Sequence, residues 1–179
     1  RWLPMGLNAA VLAGGRSTRM GQDKALVPID GVPMALRMAG VLRQGGCENI
    51  HLVGRQASLV QLGLPLIRDV LSTHHPLNGV ASALSELSGE LILIAPCDLI
   101  SLEVSHVQTL LQHKGPCIAV SDGQTHPLLG ILPKKWAVKA DQLARQGAPA
   151  WHLTESLPRV ELPFTSLFDA NTPNDLPRS

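Results

Sequence analysis

A glycine-rich segment near the start of the chain carries the residues best suited to binding phosphate. It reads LAGGRSTRMGQDKA, covers residues 12–25, and contains the basic side chains of Arg16, Arg19 and Lys24. Glycines let successive backbone N–H groups converge on an anion, and the basic side chains add full positive charges. The spacing matches neither a Walker loop nor a dinucleotide-binding fingerprint. The segment therefore predicts a phosphate-binding loop of a different kind.

Two aspartates follow apolar runs that have the character of strands. Asp98 comes after LILIAPC, and Asp69 comes after LPLIR. A carboxylate at the end of a strand, opposite a phosphate loop, is a suitable ligand for Mg²⁺. A helix cap or a turn also explains an aspartate at either place. The neighbouring phosphate loop favours Asp98 as the metal ligand.

Histidines and an asparagine are further candidates. His74 and His75 are adjacent, but no third ligand follows at metal spacing, so we predict no zinc site. His126, in THPLLG, is either a cavity residue or a core or turn histidine. The ending DANTPNDL, residues 169–176, is typical of a helix start, which leaves Asn171 available for chemistry.

The elements that position these residues alternate between strand and helix, which predicts an α/β fold with helices on both faces of a mostly parallel sheet. Strands are predicted at residues 7–13, 50–53, 64–67, 91–95, 117–121 and 128–132. Helices are predicted at residues 33–44, 80–87, 102–112 and 134–146. Ligands of such sheets bind at the carboxyl ends of the strands, so the phosphate loop and Asp98 should meet there.

Several finer features are also predicted. Ser101 is the expected N-cap of the 102–112 helix, and residues 168–176 should form a short strand followed by a helical turn. The last two predicted strands flank a polar turn and should pair antiparallel at the edge of the sheet. We expect one domain over residues 7–179, preceded by an extension at residues 1–6.

Composition argues against several classes of protein. A hydrophobic fraction of 45% with 16% charged residues is typical of a globular domain. A net charge of +1 and an aromatic fraction of 3% disfavour nucleic-acid binding. No apolar run is long enough to span a bilayer, and the three cysteines form neither a disulfide framework nor a metal motif. These features predict a cytoplasmic protein.

The phosphate loop resembles the signature of the molybdenum cofactor guanylyltransferase family, within the GT-A-like nucleotidyltransferases. The family form, roughly LAGGxSxRMGxDKA, is matched at Leu12, Ala13, Gly14, Gly15, Ser17, Arg19, Met20, Gly21, Asp23, Lys24 and Ala25. Three further strings resemble family motifs: PCD ending at Asp98, HPLNGV at residues 75–80, and NTPNDL at residues 171–176. The resemblance covers the chain from about residue 7 to residue 176.

The resemblance implies a Rossmann-like fold and the transfer of GMP from GTP to molybdenum-bearing molybdopterin. It implies that Asp98 binds Mg²⁺, with Asn171 as a second ligand, and that Lys24 and Arg19 neutralise phosphate charge. It assigns nucleotide binding to Leu12, Ala13, Gly14, Gly15, Lys24, Asp69 and Asp98. His126 would line the acceptor side. GTP and molybdopterin would be the substrates, with transient contact with molybdoenzymes or other cofactor-biosynthesis proteins.

Other interpretations remain open at this point. Residues 147–150 read GAPA where the family's acceptor-binding stretch has basic residues, which leaves the acceptor undetermined. A CTP-dependent molybdopterin cytidylyltransferase or a sugar-phosphate nucleotidyltransferase would use the same loop. A nucleotide-binding regulatory protein without catalysis is the alternative from another class, although Lys24 and Asp98 argue against it.

Overall fold

The computed structural model describes residues 7–14, 23–69, 74–163 and 167–176. The strands in these ranges are β1 (Asn8–Leu12), β2 (Pro28–Ile29), β3 (Val32–Pro33), β4 (Ile50–Gly54), β5 (Leu66–Arg68), β6 (Leu91–Pro96), β7 (Cys117–Ser121), β8 (Gln124–Pro133) and β9 (Arg159–Glu161). The α-helices are α1 (Met34–Gly45), α2 (Pro76–Glu86), α3 (Val104–Gln112), α4 (Ala137–Arg145) and α5 (Trp151–Thr154). Short 3₁₀ helices lie at Lys24–Leu26, Ala57–Leu62, Lys134–Trp136 and Pro173–Asp175.

Seven of these strands form one mixed sheet in the order β5-β4-β1-β6-β8-β7-β9. Strands β5, β4, β1 and β6 run parallel to one another. Strand β8 runs antiparallel to both β6 and β7, and β9 lies parallel to β7. The predicted α/β class with a mostly parallel, mixed sheet is confirmed.

The central strands are apolar throughout because both faces of the sheet are covered. In β1, Ala9 and Val11 belong to the core on one face, and Ala10 belongs to the core on the other. Strand β6 divides in the same way, with Leu93 on the first face and Ile94 on the second. A continuous apolar run is the pattern expected for a strand buried on both sides.

Helices α1 and α3 cover the first face, and α2, α4 and α5 cover the second, which gives the predicted three layers. Helices α1 and α3 pack so closely that a Cβ added to Gly45 would lie 2.4 Å from Val107 Cγ1. None of the helices in the described part of the chain has the length and apolar character needed to cross a membrane.

The antiparallel hairpin of β7 and β8 forms as predicted around Asp122 and Gly123, both with positive φ. Its predicted place at the edge of the sheet is wrong, because β8 pairs with β6 and the short strand β9 pairs with the free side of β7. A second hairpin, β2 and β3, turns at Asp30 and Gly31 with φ of 50° and 79° and was not predicted.

Two further local predictions are wrong. Glu103, not Ser101, caps α3, because the Glu103 side chain accepts from the backbone at His106 while the His106 ring accepts from the Glu103 N–H. The Ser101 hydroxyl instead accepts from the Phe168 N–H at 3.2 Å. No strand lies within residues 167–176, where the Asp175 carboxylate accepts from the Thr172 N–H at 2.7 Å and supports a 3₁₀ turn.

Candidate active site

The carboxyl ends of β1 and β6 lie side by side and bring two of the predicted segments together. Leu12 lies opposite Pro96 in the parallel pair, and the Cys97 N–H donates to the Leu12 carbonyl at 3.0 Å. On the other side, the Ala13 N–H donates to the Val53 carbonyl at 2.8 Å. The start of the phosphate loop is therefore fixed beside the segment that carries Asp98, at the edge where the sequence predicts a ligand site.

Lys24 joins two oxygen-bearing side chains that are distant in the sequence. Its Nζ lies 2.6 Å from Asp98 Oδ2 and 2.8 Å from Asn171 Oδ1. The pair is largely shielded from water, since the side chains of Lys24 and Asp98 are 11% and 21% exposed. A charge-assisted hydrogen bond in such surroundings is stronger than one between neutral groups. The structure thus brings together three of the residues predicted for the site.

Neighbouring contacts hold this trio in place. Fully buried Ala25 anchors the 3₁₀ turn that carries Lys24, and the Ser58 hydroxyl donates to the Asp23 carboxylate beside it. At the other end, the Ala170 N–H donates to the Asp98 carbonyl at 2.9 Å, which keeps Asn171 next to Asp98. Asp23, a matched position of the signature, thus anchors the end of the phosphate loop.

A cavity of about 790 Å³ opens at this edge of the sheet. The predicted residues that line it are Leu12, Gly14, Lys24, Asp69, His74, His75, Asp98, His126 and Asn171. Ala13 is buried in the core beneath it. Gly15 and Arg19, the other predicted members of the site, lie outside the described residues. A cavity of this size is typical of small-molecule sites.

Strand order divides the cavity into two halves. Strands β1, β4 and β5 lie on one side of β6 and β8 lies on the other, so Asp98, which follows β6, stands between them. The loop-side half is lined by Leu12, Gly14, Arg55, Asp69 and Gly79. The β8-side half is lined by His126, Pro127, Leu128 and Leu129. Two reactants placed in these halves would meet at Asp98.

Arg55 forms an ion pair in the loop-side half that sequence reasoning missed. Its Nη2 lies 3.5 Å from Asp69 Oδ2, and the two side chains are 30% and 11% exposed. The Asp69 N–H donates to the Gly54 carbonyl at 3.3 Å, which continues the pairing of β4 with β5 beyond the strand ends. The position of Arg55 directly after β4, at the ligand edge, was the signal available in the sequence.

The comparison with known proteins identifies the kind of domain. Residues 9–160 match the family described as the MobA-like NTP transferase domain. The chain belongs to this family. It is 33% identical to the molybdenum cofactor guanylyltransferase of Serratia proteamaculans, over 79% of this chain and 75% of that protein. It is 31% identical to a probable molybdenum cofactor guanylyltransferase of a Nostoc species, over 95% of this chain and 88% of that protein.

A solved structure supports the fold of this MobA-like domain. The molybdopterin-guanine dinucleotide biosynthesis protein A of Archaeoglobus fulgidus superposes with a TM-score of 0.74 at 20% identity, over 94% of each chain. At this identity the likeness shows the fold alone. The family match and the two relatives place the chain among nucleotidyltransferase enzymes.

The donor set of this MobA-like site suits a hard divalent cation. Asp98 Oδ2 and Asn171 Oδ1 both point at the Lys24 ammonium, so two oxygens already converge on one positive charge. Within the described residues no three side chains of His, Cys, Asp or Glu cluster at metal spacing. Mg²⁺ does not require such a cluster, because it commonly binds one or two protein oxygens together with substrate phosphates and water.

Asp169 adds a second carboxylate that sequence reasoning did not single out. It lines the cavity, and its pKa is raised by burial and by the negative charge of Asp98. Two carboxylates that repel each other create a site of negative potential, which a cation would relieve. The position of Asp169, two residues before Asn171 in the same segment, was the available signal.

The two histidines at the start of α2 have separate surroundings. The His75 Nδ1 accepts from the Leu77 N–H at 3.1 Å, and its Nε2 lies 2.8 Å from the Ala148 carbonyl. Both ring nitrogens of His75 are therefore used, and this cap lets α2 begin at Pro76 rather than at the predicted residue 80. His74 is exposed at the cavity wall.

Cys97 lies next to Asp98 but is unsuited to nucleophilic chemistry. Burial, with a smaller effect of the Asp98 charge, raises the pKa of its thiol to about 12. A thiol with such a pKa stays protonated at neutral pH, and only the thiolate is a good nucleophile. The described site offers positioning and charge rather than a covalent attack by this cysteine.

Proposed function

We propose that this protein is a Mg²⁺-dependent guanylyltransferase that transfers GMP from GTP to the phosphate of molybdenum-bearing molybdopterin, forming molybdopterin guanine dinucleotide and pyrophosphate. The observation that carries the proposal is the convergence of Lys24, Asp98 and Asn171 in the cavity. Two relatives at 31% and 33% identity, named for the guanylyl reaction, support the choice of substrates. We place the reaction in the cytoplasm, where its substrates would be met.

The chemistry is an in-line displacement at phosphorus. An oxygen of the acceptor phosphate attacks the α-phosphorus of GTP, a new P–O bond forms, and the bond to the bridging oxygen of pyrophosphate breaks. The acceptor phosphate is already ionised at neutral pH, so no protein base is required. Catalysis by positioning and charge stabilisation is sufficient for this class of reaction.

The residues take the following roles in this proposal. Lys24 neutralises charge on the nucleotide phosphates, and the backbone of residues 12–14 shapes the nucleotide site. Asp98 and Asn171 are the residues that would hold Mg²⁺, which supplies positive charge to the phosphates when it is bound. Gly15 and Arg19 belong to the same loop through the family signature and would add a further N–H group and a further cation.

The loop at residues 147–150 bears on which acceptor the protein takes. It carries no basic side chain, and its Ala148 carbonyl lies 2.8 Å from the His75 Nε2 and thus packs against the start of α2. A phosphate bound there would receive no side-chain cation from these four residues. The test of function therefore varies the acceptor as well as the nucleotide.

The test is a turnover assay with the purified protein. Molybdopterin, with and without molybdate, is offered with GTP, CTP, ATP or UTP, and pyrophosphate is measured with Mg²⁺ and after chelation by EDTA. We expect release with GTP, only in the presence of molybdopterin and Mg²⁺. Pyrophosphate release with CTP and molybdopterin but not with GTP would indicate a cytidylyltransferase. Release with a sugar phosphate in place of molybdopterin would indicate a sugar nucleotidyltransferase. Binding of GTP without any pyrophosphate would show a non-catalytic protein.

A further inference from the structure

The β8-side half of the cavity contains an irregularity that directs one histidine toward the ligand space. Strand β8 pairs with β7 at Ile118↔Gly130 and next at Ala119↔His126, so residues 127–129 are extra residues on β8. The pairing of β8 with β6 begins only at Gly130. The bulge therefore lies outside both ladders, and all three of its residues line the cavity together with His126. Bulges next to active sites commonly redirect a side chain in this way.

A buried serine fixes the ring of His126. The Ser121 Oγ lies 2.6 Å from the His126 Nε2 and accepts from the Leu167 N–H at 3.2 Å. Ser121 is only 1% exposed, so its hydroxyl proton needs a protein acceptor, and Nε2 is the one within reach among the described residues. An unsatisfied buried hydroxyl would be costly. The hydroxyl therefore donates to Nε2, and the proton of the neutral ring lies on Nδ1.

The ring is held neutral as well as oriented. Burial lowers the pKa of His126, so the imidazole is uncharged at neutral pH. His126 is partly exposed and lines the cavity, and its Nε2 is occupied by Ser121, so Nδ1 is the ring nitrogen left for a bound ligand. The neighbouring side chains, those of Pro127, Leu128 and Leu129, cannot donate a hydrogen bond.

We propose that His126 donates a hydrogen bond from Nδ1 to an oxygen of the acceptor, and that Ser121 is a positioning residue that holds the ring in this tautomer. The inference rests on the proposed function, since it assigns the β8-side half to the acceptor and the loop-side half to the nucleotide. It adds a specificity element. An acceptor substrate with an oxygen that can accept a hydrogen bond from Nδ1 is favoured over one that presents an N–H or O–H donor at this wall.

Two substitutions at position 126 separate the two ring nitrogens. The amide of Asn reaches about as far from the backbone as Nδ1, whereas the amide of Gln reaches about as far as Nε2. We expect His126→Asn to keep the KM for the acceptor within about threefold of the wild type, and His126→Gln and His126→Ala to raise it roughly tenfold. All three variants should leave the KM for GTP unchanged, which a general loss of structure would not do.

The positioning role of Ser121 is tested by Ser121→Ala together with a spectroscopic measurement. In ¹⁵N-histidine-labelled wild type, we expect the imidazole signals of His126, assigned by their loss in His126→Asn, to show a protonated Nδ1 and an unprotonated Nε2. In Ser121→Ala the two tautomers should mix, and the acceptor KM should rise about fivefold with an unchanged KM for GTP. Ser121→Thr, which keeps the hydroxyl, should restore both properties.

The outcomes distinguish the inference from the proposed function. If the wild type transfers no nucleotide to any acceptor offered, the proposed function fails. If the wild type turns over but His126→Ala and Ser121→Ala leave the acceptor KM unchanged, the function stands and the inference is overturned. A wild-type spectrum with a protonated Nε2 overturns the tautomer assignment whether or not the enzyme is active.

Discussion

The two halves of the cavity use polar groups in opposite ways. The loop-side half and the Asp98 region between the halves carry full charges in pairs, Lys24 with Asp98 and Arg55 with Asp69. The β8-side half is apolar except for His126, whose ring is neutral. A triphosphate needs positive charge and a metal, whereas a ring system that bears a single phosphate needs shape and a few directed hydrogen bonds. A charged half and an uncharged half at one sheet edge can therefore favour different substrates.

Removal of Asp98 should have the largest effect, because this carboxylate stands between the halves and contacts Lys24. We expect Asp98→Ala to lower turnover on the order of 1,000-fold while the protein remains folded. The measurement is pyrophosphate release at saturating GTP and acceptor, with circular dichroism and thermal melting to verify folding. Asp98→Asn, which keeps the size and loses the charge, should be impaired almost as strongly. Near-normal turnover in a folded Asp98→Ala variant would remove this carboxylate from the mechanism.

The charged residues of the loop-side half and of the Asp98 region could be predicted in part from the sequence. Asp98 was predicted because it follows an apolar strand, and Lys24 because it lies at the end of a glycine-rich loop. Both patterns are local in the sequence. The pairing of Arg55 with Asp69 could not be predicted, since it depends on the register of β4 against β5 and not on local spacing. Asp169 was missed because its unusual environment arises only when the last segment packs against Asp98.

The fold shows the same division between local and long-range information. The Asp-Gly turn at Asp122 was predicted because apolar strands flank it, whereas the same dipeptide at Asp30 was overlooked because its flanking strands have two residues each. Strand β9 was missed because its residues Arg159, Val160 and Glu161 have little apolar character, and only pairing with β7 makes them a strand. The bulge that places His126 also depends on long-range pairing.

Loss of the Lys24 charge should have the second largest effect. Lys24→Met keeps the length of the side chain and removes the cation, so we expect turnover to fall about 100-fold. Lys135→Met is the matched control, because Lys135 is exposed and follows the end of β8 that is remote from the cavity residues at its start. Single-turnover kinetics with GTP and acceptor measure the effect. Equal rates for the two variants would show that the charge of Lys24 is not used in catalysis.

Substitution of Arg55 tests the division between the two halves of the cavity. We expect Arg55→Ala to raise the KM for GTP roughly tenfold and to leave the acceptor KM unchanged, the reverse of the pattern proposed for His126. Arg145→Ala, which removes an exposed arginine paired with Asp141, serves as the control. Initial rates with each substrate varied in turn give both constants. A parallel rise in both KM values would show that the two reactants share the loop-side half.

Gly79 should show how closely the loop-side half is packed. A Cβ at Gly79 would lie 3.2 Å from Leu12 Cδ2, so in Gly79→Ala the Leu12 side chain at the start of the phosphate loop would have to move by a few tenths of an ångström. We expect a threefold rise, roughly, in the KM for GTP. Gly40→Ala is the matched helical control, since a Cβ there meets nothing within 4 Å. That variant should instead gain about 1 kcal/mol in the free energy of unfolding, from the higher helix propensity of alanine.

Asp169 should give the smallest effect, and its sign follows from its pKa. Burial and the Asp98 charge raise the pKa of this carboxyl in the folded state, so its ionisation opposes folding at neutral pH. Asp169→Asn should therefore raise the free energy of unfolding at pH 7, and this gain should shrink as the pH falls through the raised pKa and vanish below the ordinary one. Urea unfolding between pH 3 and pH 8, bracketing the ordinary aspartate pKa of about 3.9, measures the difference. A gain that stays constant over this range would show that it does not come from the ionisation of Asp169.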